Sequence, residues 1–354
     1  MWWFVSDLHL GSGVSDSGGA GRALPQFLEV VLEDPRPDRH LVMLGDTADI
    51  DGGHPAAPGR PSAVRQLDEV VERFPDVFDA LARCLRAGVT VHVVSGNHDV
   101  ALDYTAVRDR LRQHLGSPGP AALRFHRWLL YEPGLLYAEH GNQHHPLNRF
   151  PLMLRPGAGG GEVPPRTPIA AWATRGLPKA LLAARLLAAL RATRVAERGA
   201  DDASYRELVR EEGVAAGLPE EAVQPVHDVS RFRAVPAAAF SVVRLVTRGT
   251  RLDDRDGYLR RAAARIDNVL TAAGQQPSYY IFGHTHQAAL TPMSRDGAYY
   301  ANCGTWSGLF DGGDREDGDC PYLVVENDGH AWHARLERWR SSGVPPAASA
   351  AVAS

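Results

Sequence analysis

Residues 2–9 read Trp2-Trp3-Phe4-Val5-Ser6-Asp7-Leu8-His9, a short apolar run that ends in a carboxylate and an imidazole. A comparable arrangement recurs at four later points in the chain. The later junctions are Leu41–Leu44 before Gly45-Asp46, Val89–Val94 before Gly96-Asn97-His98-Asp99, Leu135–Glu139 before His140, and Tyr279–Phe282 before Gly283-His284-Thr285-His286. Apolar runs this short and rich in Val, Leu, Tyr and Phe indicate buried strands rather than helices.

Helical patterns lie between these strands. We predict helices at Pro25–Glu33, Ser62–Arg86 with a break near Pro75, Thr105–Leu115 and Tyr258–Ala273. Alternation of strands and helices predicts sheets covered by helices, and therefore an α/β fold. After His286 the pattern changes to three strand-like runs with short polar turns, which favour a second, antiparallel sheet. These runs are Ala298–Asn302, Tyr322–Glu326 and His330–Leu336.

The segment 146–256 departs from this alternation. We interpret it as a helical insertion, or cap, that interrupts a catalytic domain spanning residues 1–340. Its helical patterns are Lys179–Arg198, Ser204–Glu212 and Ala237–Thr247, and Ser204 with Glu207 has the spacing of a capping box. Residues 341–354 are mostly small residues and proline, so we predict a disordered tail there.

Composition excludes several classes of protein. Hydrophobic residues at 44% and charged residues at 23% are typical of a soluble enzyme, and a net charge of −4 provides no general attraction to nucleic acid. The three cysteines, Cys84, Cys303 and Cys320, are too widely spaced for a disulfide scaffold or a CxxC zinc site. The sequence shows no signal-peptide pattern and no apolar run long enough to cross a bilayer. We therefore expect a cytoplasmic protein.

The residues after the strands have the chemistry of metal ligands. Side chains just beyond the carboxyl ends of neighbouring strands converge in an open sheet, so these sequence-distant groups can form one site. Asp7 and His9 are two residues apart where a strand becomes a loop, and His284 and His286 repeat that spacing. Carboxylate, imidazole and amide ligands without thiolates suit Mn²⁺, Fe or Zn²⁺. Two such ions can clamp a phosphoryl group and activate a bridging water as hydroxide.

The ordered set of five motifs resembles the calcineurin-like metallophosphoesterase superfamily. The resemblance covers residues 1 to about 306 apart from the insertion. It implies a four-layer α/β sandwich of two mixed β-sheets flanked by helices. It also implies two divalent metal ions, with Mn²⁺ preferred. By the family's pattern the first ion would be held by Asp7, His9, Asp46 and His286, and the second by Asp46, Asn97, His140 and His284.

The same resemblance implies candidate catalytic residues. His98 lies where the family keeps a histidine that contacts the phosphoryl oxygen or protonates the leaving group, and Asp49 and Asp99 are candidates for its carboxylate partner. Protein phosphatases have Arg-Gly after the Asp49 position, whereas this chain has Ile50-Asp51, which disfavours that activity.

Within the superfamily, two stretches resemble the group around UDP-2,3-diacylglucosamine hydrolase. They are Ser6-Asp7-Leu8-His9-Leu10-Gly11 and Glu139-His140-Gly141-Asn142-Gln143. That hydrolase typically has Arg at the position of His98 and Asp at that of Asn142, and its insertion is shorter. The resemblance is therefore to a relative of that enzyme.

Sequence alone leaves three functions open. The first is a dinuclear-metal phosphoesterase acting on a phosphomonoester, phosphodiester or pyrophosphate bond of a phosphorylated small molecule or lipid-like substrate. The second is a metal-dependent nuclease of the DNA-repair exonuclease type, and the third is a non-catalytic scaffold. Arginines interleave with leucines over residues 177–198, which suits a solvated cap helix, an anionic amphiphile, peripheral contact with a membrane surface or, least of all, nucleic acid.

Overall fold

The computed structural model describes residues 1–11, 19–50, 62–117, 119–145, 148–149, 154, 203–231, 256–307, 319–340 and 352–353. The chain forms two compact units, Met1–His140 with Pro277–Ser354, and Gly141–Gln276. The second unit contains the segment 146–256 that we predict to be an insertion. Its predicted helices at Lys179–Arg198 and Ala237–Thr247 lie outside the described residues, and its boundaries stay a prediction.

The first unit contains two β-sheets. The described strands are β1 (Trp2–Val5), β2 (His40–Leu44), β3 (Thr90–Val94), β4 (Leu123–His126), β5 (Leu129–Glu132), β6 (Leu136–Glu139), β7 (Tyr279–Phe282), β8 (Ala289–Pro292), β9 (Tyr299–Asn302), β10 (Cys320–Asn327), β11 (Trp332–Trp339) and β12 (Val352–Ala353). The seven-stranded sheet has the order β12-β11-β10-β1-β2-β3-β4, and the five-stranded sheet has the order β5-β6-β7-β9-β8. Each sheet contains both parallel and antiparallel pairs.

The described helices are α1 (Ala20–Glu33), α2 (Ala63–Arg73), α3 (Pro75–Arg86), α4 (Thr105–His114), α5 (Ala203–Ala215), α6 (Glu220–Arg231) and α7 (Gly257–Ala272). The predicted break near Pro75 is confirmed, because α2 ends at Arg73 and Pro75 begins α3. Proline suits that position since the first turn of a helix leaves its N–H groups unpaired. None of the helices in the described ranges is both long and apolar enough to cross a bilayer.

The two sheets pack face to face through apolar side chains, which confirms the predicted α/β sandwich of two mixed sheets. The buried residues at this interface include Phe4, Val42, Leu44, Leu136, Ala138, Tyr279, Ile281 and Leu323. On the other face of the larger sheet, Phe27 of α1 contacts the rings of Trp306, Tyr322 and Trp339. Helix α1 also packs against α3.

Three sequence-based expectations differ from the structure. The runs after His286 do not form an antiparallel sheet of their own, because β9 pairs in parallel with β7 while β10 and β11 extend the sheet of β1. Ser204 is not the N-cap of its helix, since α5 already begins at Ala203. Within the predicted disordered tail, Val352–Ala353 pair with β11 as a short strand.

A chain of three hydrogen-bonded histidines crosses β2, β3 and β4. His40 Nδ1 lies 3.1 Å from His92 Nε2, and His92 Nδ1 lies 3.0 Å from His126 Nε2. Each neutral imidazole has one hydrogen-bond donor and one acceptor, so both hydrogen bonds between the three histidines can form while all three rings are neutral. Burial, reinforced by Arg124 nearby, lowers the pKa of His40 to about 4, that of His92 to about 2 and that of His126 to about 4.

This histidine chain predicts a loss of stability in mild acid. The pKa values of these histidines in the folded state lie below the value of about 6.5 in the unfolded state. As pH falls from about 6.5 towards 4, the unfolded state therefore binds protons that the folded state does not bind, and the free energy of unfolding decreases. Replacing the fully buried His92 by Gln should make the fall in unfolding free energy shallower by about 1.4 kcal/mol per pH unit. Urea denaturation between pH 7 and 5 measures this slope. The exposed His330→Gln variant is the control, and equal slopes for His92→Gln and wild type would contradict the prediction.

Candidate metal centre

The predicted ligands follow the ends of five strands in the first unit. Backbone hydrogen bonds continue beyond the strands and hold these loops together: Asp7 N–H donates to Gly45 O (3.1 Å), His9 N–H to Asp46 O (2.9 Å), and Gly283 N–H to His140 O (3.1 Å). The last of these joins two neighbouring strands of the smaller sheet, β6 and β7. Side chains from both sheets therefore converge at one edge of the sandwich.

The backbone at this edge is strained. Among the described residues other than glycine, six have a positive φ, and five of them are predicted ligands: Asp7 (53°), His9 (49°), Asp46 (52°), His284 (68°) and His286 (64°). Side chains rarely adopt this conformation, which costs on the order of 1–3 kcal/mol per residue and persists only where surrounding contacts enforce it. Concentration of such residues in one cluster indicates a functional site.

Glycines allow the ligands to approach the backbone. A Cβ on Gly45 would collide with the ring of His140, and a Cβ on Gly283 would collide with Ser6 Oγ and lie 2.7 Å from Asp7 Oδ2. Steric crowding therefore explains why glycine precedes the ligand in the Gly-Asp and Gly-His pairs of these motifs. Glycine supplies the space into which a side chain from the neighbouring loop fits.

Three overlapping groups of three side chains have ligand atoms close enough to hold a metal ion. Asp7, His9 and His286 form the first, Asp46, His140 and His284 form the second, and His9, Asp46 and His98 form the third. In the first, His286 Nε2 lies 3.0 Å from Asp7 Oδ1 and 3.4 Å from His9 Nε2. In the second, His140 Nε2 lies 3.3 Å from Asp46 Oδ2, and the same oxygen lies 3.9 Å from His9 Nε2. Asp46 thus belongs to the second group and also faces His9 of the first.

Several buried atoms have the character of open ligand positions. Within the described part of the chain, Asn97 Oδ1 is buried without a hydrogen-bond partner, while Asp7 Oδ1 faces His286 Nε2 at 3.0 Å and His140 Nε2 faces Asp46 Oδ2 at 3.3 Å. Buried polar atoms are normally paired, so an unpaired amide oxygen beside close carboxylate–imidazole contacts at predicted ligand positions fits bound cations. His140 Nδ1 is held by Leu44 O at 2.9 Å and His9 Nδ1 by Asp49 Oδ1 at 3.0 Å, as expected of imidazoles whose Nε2 faces a metal. The residues present therefore fit two divalent ions.

Electrostatics at the centre also favours cations. Burial alone would raise the pKa of Asp7, but His286 and His140 lower it to about 2, and His140 and His98 hold the pKa of Asp46 well below its usual range. Burial would lower the pKa of His140, but Asp46 and Asp7 raise it to about 10. The two carboxylates thus remain ionised and draw positive charge, in the form of protons or metal ions, into the centre.

His98 lies beside the two groups and is more accessible than the ligands. Its side chain is 31% exposed, whereas that of His9 is 1% exposed. His98 Nδ1 lies 3.0 Å from Asp49 Oδ1, and the same oxygen contacts His9 Nδ1. Burial would raise the pKa of Asp49, but the hydrogen bonds from His9 and His98 lower it to about 2. Asp49 is therefore an ionised partner shared by both histidines.

The other predicted partner, Asp99, is fully buried and binds the backbone. Its oxygens accept the N–H groups of Gly96 and Thr47, each at 2.7 Å. Burial and the charge of Asp46 raise its pKa to about 7. Asp99 therefore connects the two loops that carry Asn97 and Asp46, whereas Asp49 contacts the His98 ring. Sequence spacing did not distinguish between these two aspartates.

Other residues at the centre were missed as site residues in the sequence. Ser6 Oγ lies 2.5 Å from Asp7 Oδ2 and 2.8 Å from Leu44 O, and the buried Asn302 and Thr305 contact the loops that carry Asp7 and His284. The available signal was the polar run Asn302-Cys303-Gly304-Thr305, which follows a predicted strand just as the ligand motifs do.

Comparisons with known proteins do not establish the function of this chain. No protein-family model matches the chain, and no curated protein matches it. Among solved structures it is similar to phosphopantetheinyl hydrolase from Mycobacterium tuberculosis, with a TM-score of 0.29 and 14% sequence identity over 86% of this chain and 89% of that chain. A likeness of this degree does not establish a shared activity. Fold and site define an α/β sandwich with a buried histidine–aspartate centre that could hold metal ions.

The placement of Asp46 predicts that one substitution weakens both halves of the centre. Mn²⁺ should bind wild type and raise its unfolding temperature, because an ion bound to the folded state stabilises it. Asp46→Asn should lose most of this gain, since it removes the shared negative charge. Calorimetric titration and thermal unfolding with and without EDTA measure both effects. Asp296→Asn, at an exposed position, is the control, and an undiminished gain in Asp46→Asn would contradict a shared ligand.

Proposed function

We propose that this chain is a dinuclear-metal phosphoesterase of the calcineurin-like type, a hydrolase of phosphomonoester, phosphodiester or pyrophosphate bonds. One observation carries the proposal: Asp46 belongs to one histidine–aspartate group and also lies 3.9 Å from His9 of another, with the accessible His98 nearby on an ionised Asp49. A structural role for the buried polar groups does not explain the strained backbone of five of the predicted ligands.

The proposed ligands divide into two sets that share Asp46. Asp7, His9, Asp46 and His286 would hold one ion, and Asp46, Asn97, His140 and His284 the other. The donor set of carboxylate, imidazole and amide oxygen suits Mn²⁺, with Fe or Zn²⁺ as alternatives. When bound, the ions would neutralise the charge of the phosphoryl group and lower the pKa of water, which provides the nucleophile.

The protein's own contribution to proton transfer is His98. Its Nδ1 faces Asp49, so the ring can keep its proton on Nδ1 and present Nε2 on the opposite side. Its backbone N–H also donates to Asp46 Oδ1 at 2.7 Å, which ties the position of His98 to the shared carboxylate. In the proposed reaction His98 contacts the phosphoryl oxygen or donates a proton to the leaving group, and Asp49 orients its ring.

The substrate that we propose is a phosphorylated small molecule or a lipid-like phosphoester. Support comes from the segment 149–198, which has nine basic residues and two acidic ones. Its interleaved leucines and arginines over 177–198 would suit an anionic amphiphile and peripheral contact with a membrane surface in the cytoplasm. Residues 177–198 lie outside the described residues, so this part of the proposal rests on sequence.

The role of His98 predicts a dependence on the leaving group. With Mn²⁺, His98→Asn should lower kcat by about 10²–10⁴-fold for an alkyl phosphoester, and by less for a p-nitrophenyl ester. The difference arises because p-nitrophenolate leaves readily without a proton. Steady-state kinetics on matched alkyl and p-nitrophenyl monoesters and diesters provide the measurement.

The surface pair of His333 and Asp328, which lie 2.8 Å apart, provides the matched control. His333→Asn should keep wild-type kinetics on every substrate. An equal loss on both kinds of ester in His98→Asn would remove the proton-donor role. Wild-type protein that binds Mn²⁺ but hydrolyses no phosphoester would overturn the proposed function. Cleavage confined to linear DNA, weakening steeply with salt, would favour the nuclease alternative.

A further inference from the structure

The segment that follows β9 contacts the loops of three predicted ligands. We define it as the 302–306 segment, with the sequence Asn302-Cys303-Gly304-Thr305-Trp306. Asn302 and Thr305 are 0% exposed, so their polar groups depend on protein partners rather than water. Trp306 is also buried, and its indole N–H donates to Pro321 O at 2.6 Å, which anchors the end of the segment. Neither Asn302 nor Thr305 belongs to the predicted ligand set.

Asn302 binds the loop that carries His284 and His286. Its Nδ2 donates to Gly283 O at 2.8 Å and to Thr285 Oγ1 at 2.9 Å. Its Oδ1 accepts the N–H of Gly304 at 2.9 Å, which fixes the orientation of the amide. One buried side chain therefore holds the residue before His284 and the residue between the two histidines.

Thr305 binds the backbone of Asp7. Its Oγ1 donates to Asp7 O at 2.8 Å, and the N–H of Trp306 donates to the same carbonyl at 3.2 Å. The carboxylate of Asp7 in turn accepts the N–H of His284 at 2.9 Å through Oδ2. The 302–306 segment thus connects the loops that carry Asp7 and His284, which contribute to different metal groups.

These contacts fall where the backbone needs support. Asp7, His284 and His286 all have a positive φ, and Asn302 and Thr305 bind the peptide groups directly beside them. A strained conformation returns to an ordinary one unless neighbouring contacts prevent it. The peptide carbonyls held by this segment therefore determine whether the ligand side chains keep pointing into the centre.

We propose that Asn302 and Thr305 are positioning residues of the metal centre, which hold Asp7, His284 and His286 in their strained, metal-binding conformations. The proposal rests on the proposed function only in requiring that the centre bind metal. Residues that support metal ligands typically contribute 10–100-fold to metal affinity, so loss of the Thr305 hydroxyl should have a measurable effect.

The test compares Thr305→Val with Thr305→Ser in the full chain. Valine has nearly the same shape and lacks the hydroxyl, whereas serine keeps it. Calorimetric titration of metal-free protein with Mn²⁺ should show an affinity lowered about 10–100-fold in Thr305→Val and restored to near wild type in Thr305→Ser. Asn302→Ala should weaken Mn²⁺ binding to a similar extent. Thr271→Val is the matched control, because the Thr271 hydroxyl is buried in α7 and has no hydrogen-bond partner among the residues that the structure describes.

Thermal unfolding in EDTA shows whether each variant is folded before metal is added. Folded Thr305→Val with wild-type Mn²⁺ affinity would overturn the positioning role, and so would a Thr305→Ser variant that binds as weakly as Thr305→Val. The readout is metal binding and not hydrolysis. A wild-type chain that binds Mn²⁺ without hydrolysing any phosphoester therefore contradicts the proposed function alone. A wild-type chain that binds no Mn²⁺ overturns both.

Discussion

Two buried carboxylates, Asp7 and Asp46, are the constraint on which the rest of the site depends. Removing an ionised carboxylate from water costs several kcal/mol unless hydrogen bonds and opposite charges compensate. The same two kinds of contact offset the cost of desolvation at each aspartate. One oxygen accepts a backbone N–H, from His284 or from His98, and the other oxygen faces an imidazole, that of His286 or of His140. The resulting cluster of carboxylates and imidazoles could hold metal ions.

The need to compensate these charges explains the local sequence around each ligand. The N–H donors reach the carboxylates because the loops turn sharply at the ends of their strands, with a positive φ at Asp7, Asp46 and His284. Glycine precedes Asp46 and His284, where any side chain would collide with the neighbouring loop. Packing of the two sheets through residues such as Phe4 and Ile281 then holds the strand ends at a fixed separation. The sharp turns at the ligands and the packing of the two sheets are therefore consistent with the same structure.

The sequence was sufficient for those features that depend on local pattern. Short apolar runs predicted β1, β2, β3, β6 and β7, and the polar residue after each run predicted its place at the centre. The sequence did not predict which strands pair with each other, because hydrophobic periodicity identifies a strand and not its neighbours in the sheet. For that reason β9 was predicted to share a sheet with β10 and β11, whereas it pairs with β7. The choice between Asp49 and Asp99, and the contacts of Asn302, likewise depend on residues distant in sequence.

The shared position of Asp49 limits how this centre can be tuned. One of its oxygens contacts both His9, a predicted ligand, and His98, the proposed proton donor. A change that moved or neutralised Asp49 would therefore be expected to affect both histidines together, because both contact the same carboxylate oxygen.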